Sequence, residues 1–170
     1  MNYGLLETLR EVGEYIAGAS NVPWVPFNES GDWEEYLPKY ENQTTKLGHE
    51  TSGCTVHGSQ NQAETMLRFL YGGQPNFSER YTYNLVPINP DKGANPHVTH
   101  ETIRKHGLID ERYLPMTDSI DEYLDRTAIT KSLLAKGQYW LSLHDYKHEW
   151  LWEKRPENWK ELLKEALTTS

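Results

Sequence analysis

Cysteine is nearly absent from this chain: Cys54 is the only one in 170 residues. A single thiol excludes an internal disulfide framework and any zinc site built from several cysteines. Long apolar runs are missing too, and a membrane-spanning helix needs about 20 such residues. Basic charge is in short supply, with 17 Lys and Arg against 25 Asp and Glu and a formal net charge of −8. Phosphate backbones are held by basic faces, so a nucleic-acid partner is not expected. "PDKGANP" carries too few glycines for a phosphate-cradling loop. "MNYGLLETLREVGEYIAG" lacks the basic flank and apolar core of a secretory signal. The glycosylation triplets at Asn28, Asn42 and Asn76 therefore carry no weight, and the chain is expected to be soluble and non-secreted.

What is present is a modest hydrophobic content of 36% at a mean hydropathy of −0.80. Six Trp and eleven Tyr add large buriable surfaces, enough for one core of limited reserve. Apolar spacing predicts a helix over residues 3–17, and a Pro-, Gly- and Asn-rich loop follows, with aromatic anchors. A helix is predicted from Cys54 to Tyr71, with Val56, Ala63, Met66, Leu67 and Leu70 on its inner face and Gly72-Gly73 ending it. Ser78 reads as the N-cap of a short helix in "NFSERYTYNL". "THETIRKHG" predicts a compact helix with Thr99 near its start and Gly107 past its end. Residues 120–137 read as one polar helix, and 138–152 fit strand or helix equally. "PENWKELLKEAL" predicts an amphipathic helix with Pro156 in its first turn.

Against that framework the position of the thiol acquires meaning. "ETSGC" places Cys54 at the start of the predicted central helix. Unpaired N–H groups and the dipole at such an end favour thiolate over thiol, and Gly53 permits close backbone approach. A buried structural thiol is the competing reading. "GCTVHGSQNQAE" resembles the active-site helix of papain-like cysteine peptidases, in which Gly/Ser-Cys opens a helix and a Glu follows at i+10, here Glu64. The chain is most similar to divergent members encoded by tailed bacteriophages, through "DWEEYLPKYENQ", "NFSERY", "HETIRKHGLIDERYLP" and "HEWLW…ENWKELLKEAL". The likeness runs in order over residues 20–168.

The resemblance implies an α+β, predominantly helical fold: the N-terminal helical lobe of a papain-like enzyme, residues 23–170, preceded by a helix and linker at 1–22, with the strand-rich lobe absent. Cys54 matches the nucleophile. The family's oxyanion-hole glutamine stands six residues earlier, where this chain has Gly48; Gln43 would serve if a longer loop delivers it there. At i+3 the usual aromatic is replaced by His57, which reads as a packing residue on the wrong face to act as a base, and Gly58 replaces the usual Ser. The family's catalytic His and Asn come about 130–150 residues after the cysteine, beyond Ser170, so a complementary C-terminal lobe or second chain is expected to bring them. The substrate would be a peptide or protein, with no cofactor and no metal, in a host cytoplasm or a phage virion. The alternative is a catalytically incomplete papain-like module serving as a binding or virion structural protein.

Other histidines compete weakly. His144 and His148 would share a helical face at zinc-binding spacing, yet Asp145 stands where a metalloprotease needs Glu; packing or solvated roles are favoured. His97 and His100 read as turn and first-turn residues, and His106 as a helix C-terminal residue suited to the dipole. Asp118 and Ser119 form no serine triad with any of them.

Overall fold

The computed structural model describes residues 28–39, 42–89, 93–148 and 155–169. The expected helix at 3–17 and the proposed segment 1–22 lie outside these residues, as does most of "HEWLW". The chain divides into two compact units, one containing Tyr36–Tyr146, the other the described parts of Thr8–Glu35 and Lys147–Ser170.

The first unit is helical. Its elements are α1 (Cys54–Tyr71), α2 (Glu79–Leu85), α3 (Pro96–His106), α4 (Ile120–Tyr123) and α5 (Lys131–Leu143), with short 3-10 turns at Glu111–Tyr113 and Arg126–Ala128. Among the described residues, extended chain pairs only in isolated antiparallel bridges, Thr44 with Glu50, Phe77 with Asp110 and Asn89 with Gly93. The described residues are thus predominantly helical and include no strand-rich lobe. No helix among the described residues is long and apolar enough to cross a membrane.

Local signals set most boundaries. α1 ends where Gly72 adopts φ 72° and returns its N–H to the Arg68 carbonyl at 2.9 Å, a geometry costly for residues with a Cβ. α2 starts at the Ser78 cap, whose Oγ accepts from the Tyr81 N–H at 3.1 Å. α3 begins at Pro96, three residues before Thr99. Asn95 caps it by accepting from the His97 N–H, and proline suits a first turn because its missing donor is not needed there. The single helix expected over 120–137 is instead two. Ser119 caps α4, Asp125 accepts from the Thr127 N–H, and Thr130 caps α5, so each short polar side chain restarts the chain rather than prolonging one helix. Residues 138–143 continue α5, and the stretch 144–148 is irregular.

The core departs from the expected apolar stripe. On α1 the buried residues are Thr55, Val56, His57, Ser59, Gln60, Ala63 and Glu64, whereas Met66 and Leu67 are half-buried and Leu70 is exposed. α2 is buried from Glu79 through Asn84, four of the six being polar or charged without an aromatic ring. Such a core is tolerable only when each polar group is matched. Gln60 Nε2 donates to the Ser78 carbonyl at 3.1 Å and to Thr82 Oγ1 at 2.8 Å. Glu64 Oε1 accepts from the Phe77 N–H at 2.7 Å. Arg80 donates to the Glu122 carbonyl at 2.6 Å, and Asn84 donates to the Tyr123 carbonyl at 2.7 Å. Between these bonds sit small apolar clusters, one around Val56, Tyr83, Val86 and Tyr123, another around Ala63, Phe77, Ile103 and Leu108.

α3 and α5 cross at two glycines. A Cβ on Gly137 would lie 2.1 Å from the His106 carbonyl oxygen and 2.5 Å from the Tyr81 hydroxyl, and one on Gly107 would lie 2.0 Å from the Gly137 carbonyl oxygen. Only glycine allows this approach.

In the second unit, α6 (Trp159–Thr169) begins three residues beyond Pro156, with Asn158 accepting the Leu162 N–H at its start. Trp33 Nε1 donates to the Leu167 carbonyl at 2.9 Å, and the Asn28 N–H to the Thr168 carbonyl at 3.1 Å. Ala166 is buried, whereas Leu163 and Leu167 are 36% and 47% exposed.

Candidate active site

Cys54 occupies the first position of α1 and is half-buried, neither sealed in the core nor fully in solvent. Its N-cap, Gly53, makes no side-chain cap, so the first turn is closed by backbone alone, with Val56 and His57 N–H groups donating to the Gly53 carbonyl at 2.9 and 3.0 Å. A side chain at Gly53 would meet Thr51 Oγ1 at 2.9 Å, His57 Cδ2 at 3.4 Å and Tyr83 Cδ2 at 3.6 Å. The residue before it, Ser52, has φ 54°, the one non-glycine with positive φ among the described residues. A left-handed conformation costs a side-chain-bearing residue about 1–2 kcal/mol, and such outliers gather where geometry is dictated by something other than local stability. Here the strained turn lifts the chain off an extended segment and into α1 with the thiol at the bend.

The segment before the bend is a small hairpin. Gln43 and Thr51 close it, the Gln43 carbonyl accepting from the Thr51 N–H at 3.2 Å and from Thr51 Oγ1 at 2.5 Å. Thr44 and Glu50 bridge inside that pair, and the turn is formed by the Gly48 N–H donating to the Thr45 carbonyl at 2.8 Å. Gly48 has φ 82° and is exposed at the turn. A glutamine at that position would be strained and displaced from the thiol, so the turn itself excludes the usual residue there. The hairpin returns the chain on itself, so the Gln43 backbone lies against Thr51, three residues from Cys54.

Behind the thiol's turn lies a buried titratable pair, His57 of the sequence analysis and a carboxylate that the sequence did not suggest. His57, 8% exposed, places Nδ1 3.9 Å from Oε1 of Glu79, itself 3% exposed at the first position of α2. Tyr123 adjoins this pair from α4. Burial holds its hydroxyl protonated to well above the ordinary range, the nearby Glu79 charge adds to that, and the Thr51 hydroxyl opposes it. Tyr83 is raised as well, by burial, with Arg126 opposing. His57 is thus buried, and it faces a carboxylate. Nothing in the sequence spacing pointed to Glu79; in a first turn an acidic residue reads as a partner for the helix dipole.

The other histidines singled out in the sequence lie in varied surroundings. His144 stacks on Trp140 with ring centroids 4.5 Å apart and Nδ1 2.9 Å from the Trp140 carbonyl; because α5 stops at Leu143, His144 and His148 do not share a helical face. His100 sits within α3 rather than in its first turn, Nε2 3.3 Å from Ser59 Oγ and Nδ1 2.6 Å from the Tyr146 hydroxyl. His97 lies in the first turn, and His106 in the last turn, its carbonyl accepting from Tyr81. Ser119 is a helix cap and Asp118 pairs with Lys46 in solvent at 3.7 Å. Glu64, the i+10 residue, is committed to the Phe77 N–H. Beside it a cleft of about 240 Å³ is lined by Pro38, Lys39, Arg68 and Gln74; it lies about 15–20 Å along the helix from Cys54, too far to belong to the thiol's site. No family model, curated protein or solved structure matches this chain.

Proposed function

We propose that the chain is a cysteine-type peptidase of papain-like kind, in which Cys54 attacks the carbonyl of a peptide or protein substrate. The observation that carries this reading is the Ser52–Gly53–Cys54 bend, which presents a half-buried thiol at a helix N-terminus next to the closed hairpin of Gln43 and Thr51. Attack forms a carbon–sulfur bond and moves the carbonyl π electrons onto oxygen. N–H groups of a first helical turn have no partner within the helix; that of Cys54, with the Gln43 carboxamide, would hold the oxyanion. The thiol's proton passes to the nitrogen as the C–N bond breaks, so the amine leaves a thioester; water then bonds its oxygen to carbon as the C–S bond breaks, and its proton restores the thiol. In the resemblance, a strand-rich second lobe or second chain completes the site. The test is hydrolysis of a fluorogenic peptide library by the full chain, with labelling by a peptidyl chloromethyl ketone. Both are expected in the wild type and absent in Cys54→Ala; activity that survives Cys54→Ala overturns the proposal.

The second reading, a catalytically incomplete module that binds another protein or serves in a virion, draws on the exposed Leu163 and Leu167 of α6. Peptidase assays that stay silent while Cys54 alkylates no faster than free cysteine would favour it.

A further inference from the structure

We infer that the cleft near the C-terminal end of α1 binds the carboxylate of a peptide, from its C-terminus or an acidic side chain, on Arg68 and Lys39. The inference does not rest on the peptidase reading, because the cleft lies outside the thiol's site. Its lining holds two cations, Lys39 and Arg68, two carboxamides, Gln74 and Asn76, and one carboxylate, Glu64. The volume of about 240 Å³ equals that of about eight waters, room for a carboxylate and a short stem. Both walls are pinned to α1. On one side Gly72 and Gly73, at φ 72° and 81°, turn the chain back, and Glu64 Oε1 accepts from the Phe77 N–H at 2.7 Å. The Asn76 carbonyl there accepts from the Glu111 N–H at 2.9 Å. On the other side Tyr36 meets Phe69 edge-on, ring centroids 5.0 Å apart, and the Leu37 carbonyl accepts from Arg68 Nη1 at 2.8 Å. The space is therefore formed before a ligand arrives, which lowers the ordering cost of binding.

Arg68 is the centre of the site. Its bond to Leu37 fixes the guanidinium through Nη1 and leaves the Nε–Nη2 edge without a bond among the described residues. The chain itself shows how that edge holds a carboxylate. On α3, Arg104 grips Glu101 through the same two nitrogens, Nε to Oε1 and Nη2 to Oε2, each at 2.7 Å. Two parallel charge-assisted bonds to a planar pair of oxygens are the strong form of this contact. Arg68 is half-buried, so solvent screens it less than a surface charge. Lys39, exposed and with no ion pair among the described residues, adds a second charge.

Glu64 sets the charge that the cleft accepts. Its carboxylate is 1% exposed and stands at i, i+4 from Arg68. Against the two cations it leaves the lining one net positive charge, in a chain whose own net charge is −8. A monoanion neutralises that charge. A phosphate dianion would exceed it beside a buried carboxylate, and a Lys or Arg side chain would meet two cations. The Gln74 and Asn76 carboxamides carry N–H donors for carboxylate lone pairs that Arg68 leaves open. Pro38 and Pro75 supply apolar surface for the stem.

The experiment is an NMR titration of the isotopically labelled full chain, following the Arg68 Nε–H and the Gln74 and Asn76 side-chain amides. Three probes are compared: acetyl-trialanine with a free C-terminus, acetyl-Ala-Glu-Ala amide, and acetyl-trialanine amide. A carboxylate probe is expected to shift these signals saturably, and the tighter of the two names the source of the carboxylate. No saturable shift with either, or equal shifts with the neutral amide, overturns the inference. Inorganic phosphate at about pH 8, mostly dianionic, is expected to bind more weakly than the peptide; tighter binding overturns the carboxylate assignment. Arg68→Lys keeps the charge and loses the fork, so affinity should fall about tenfold or more. Because that change also removes the Leu37 bond, Lys39→Gln at an exposed side chain gives a second reading, a fall of about two- to fivefold. Unchanged affinity in either variant, with native circular dichroism, overturns the inference. Cys54→Ala is expected to bind as the wild type does; lost binding there would put the peptide at the thiol and overturn it too. The two proposals fail separately. Carboxylate binding without hydrolysis leaves the cleft and removes the peptidase, whereas Cys54-dependent hydrolysis without binding at Arg68 does the reverse.

Discussion

Replacing Gly137 by Ala sets two known effects against each other. Gly137 lies inside α5, and in an unconstrained helix the exchange gains about 0.5–1 kcal/mol, because glycine loses more backbone entropy on folding. The crossing with α3 opposes it. The new methyl would lie 2.1 Å from the His106 carbonyl oxygen and 2.5 Å from the Tyr81 hydroxyl, and a comfortable carbon–oxygen contact needs about 1 Å more. Backbone cannot rotate out of the way, so α5 must retreat, at an overpacking cost of about 1–3 kcal/mol. That movement also strains the 3.1 Å bond by which the buried Tyr81 hydroxyl donates to the same carbonyl, worth about 1 kcal/mol. The net expectation is a loss of about 1–3 kcal/mol. Gly58 is the internal control, since it is also helical but exposed, and a Cβ there meets nothing within 4 Å; Gly58→Ala is expected to gain about 0.5–1 kcal/mol. Urea titration of both variants, read by far-UV circular dichroism, gives midpoints moving in opposite directions. A Gly137→Ala protein as stable as Gly58→Ala would refute the close crossing of α3 and α5.

Gln43→Ala removes a proposed oxyanion donor while leaving the main-chain carbonyl that ties the hairpin to Thr51, so kcat of peptide hydrolysis should fall by about 10²–10³ with little change in the urea midpoint. Ser78→Ala takes away the α2 cap and its donated bond to the Leu114 carbonyl; a loss of about 1–3 kcal/mol is expected from the cap and the stranded buried carbonyl, measured by chemical unfolding. Alkaline stability should follow the buried tyrosines. Tyr81 is raised from 10.0 to about 12 by burial, and Tyr83 and Tyr123 are raised as well. Their protonated forms are favoured by the fold, so the stabilisation is complete below about pH 10, where the unfolded chain starts to ionise, and is lost as pH climbs through about 12. Tyrosinate absorbance near 295 nm should therefore rise together with loss of helical signal; ionisation well before unfolding would contradict the burial of these rings.

The sequence by itself determined the helical class, the start of α1 at Cys54, its stop at Gly72, the Ser78 cap and the end of α3 at Gly107. These are decided by a residue and its near neighbours: a side chain that caps, or a backbone that tolerates positive φ. Even the misplaced start of α3 was legible, since Asn95-Pro96 is a strong opening signal. Only the tertiary structure decided which face of α1 is inside. Gln60 and Glu64 look solvent-facing until the Ser78 carbonyl, Thr82 and the Phe77 N–H arrive from the next segment to satisfy them. The same holds for Gln43 against Thr51, for Gly107 against Gly137 and for His57 against Glu79. In each pair, neither residue's neighbours in sequence reveal its partner. A polar group is stable in a core only when a partner meets it there, and that meeting is a property of chain packing, not of local pattern.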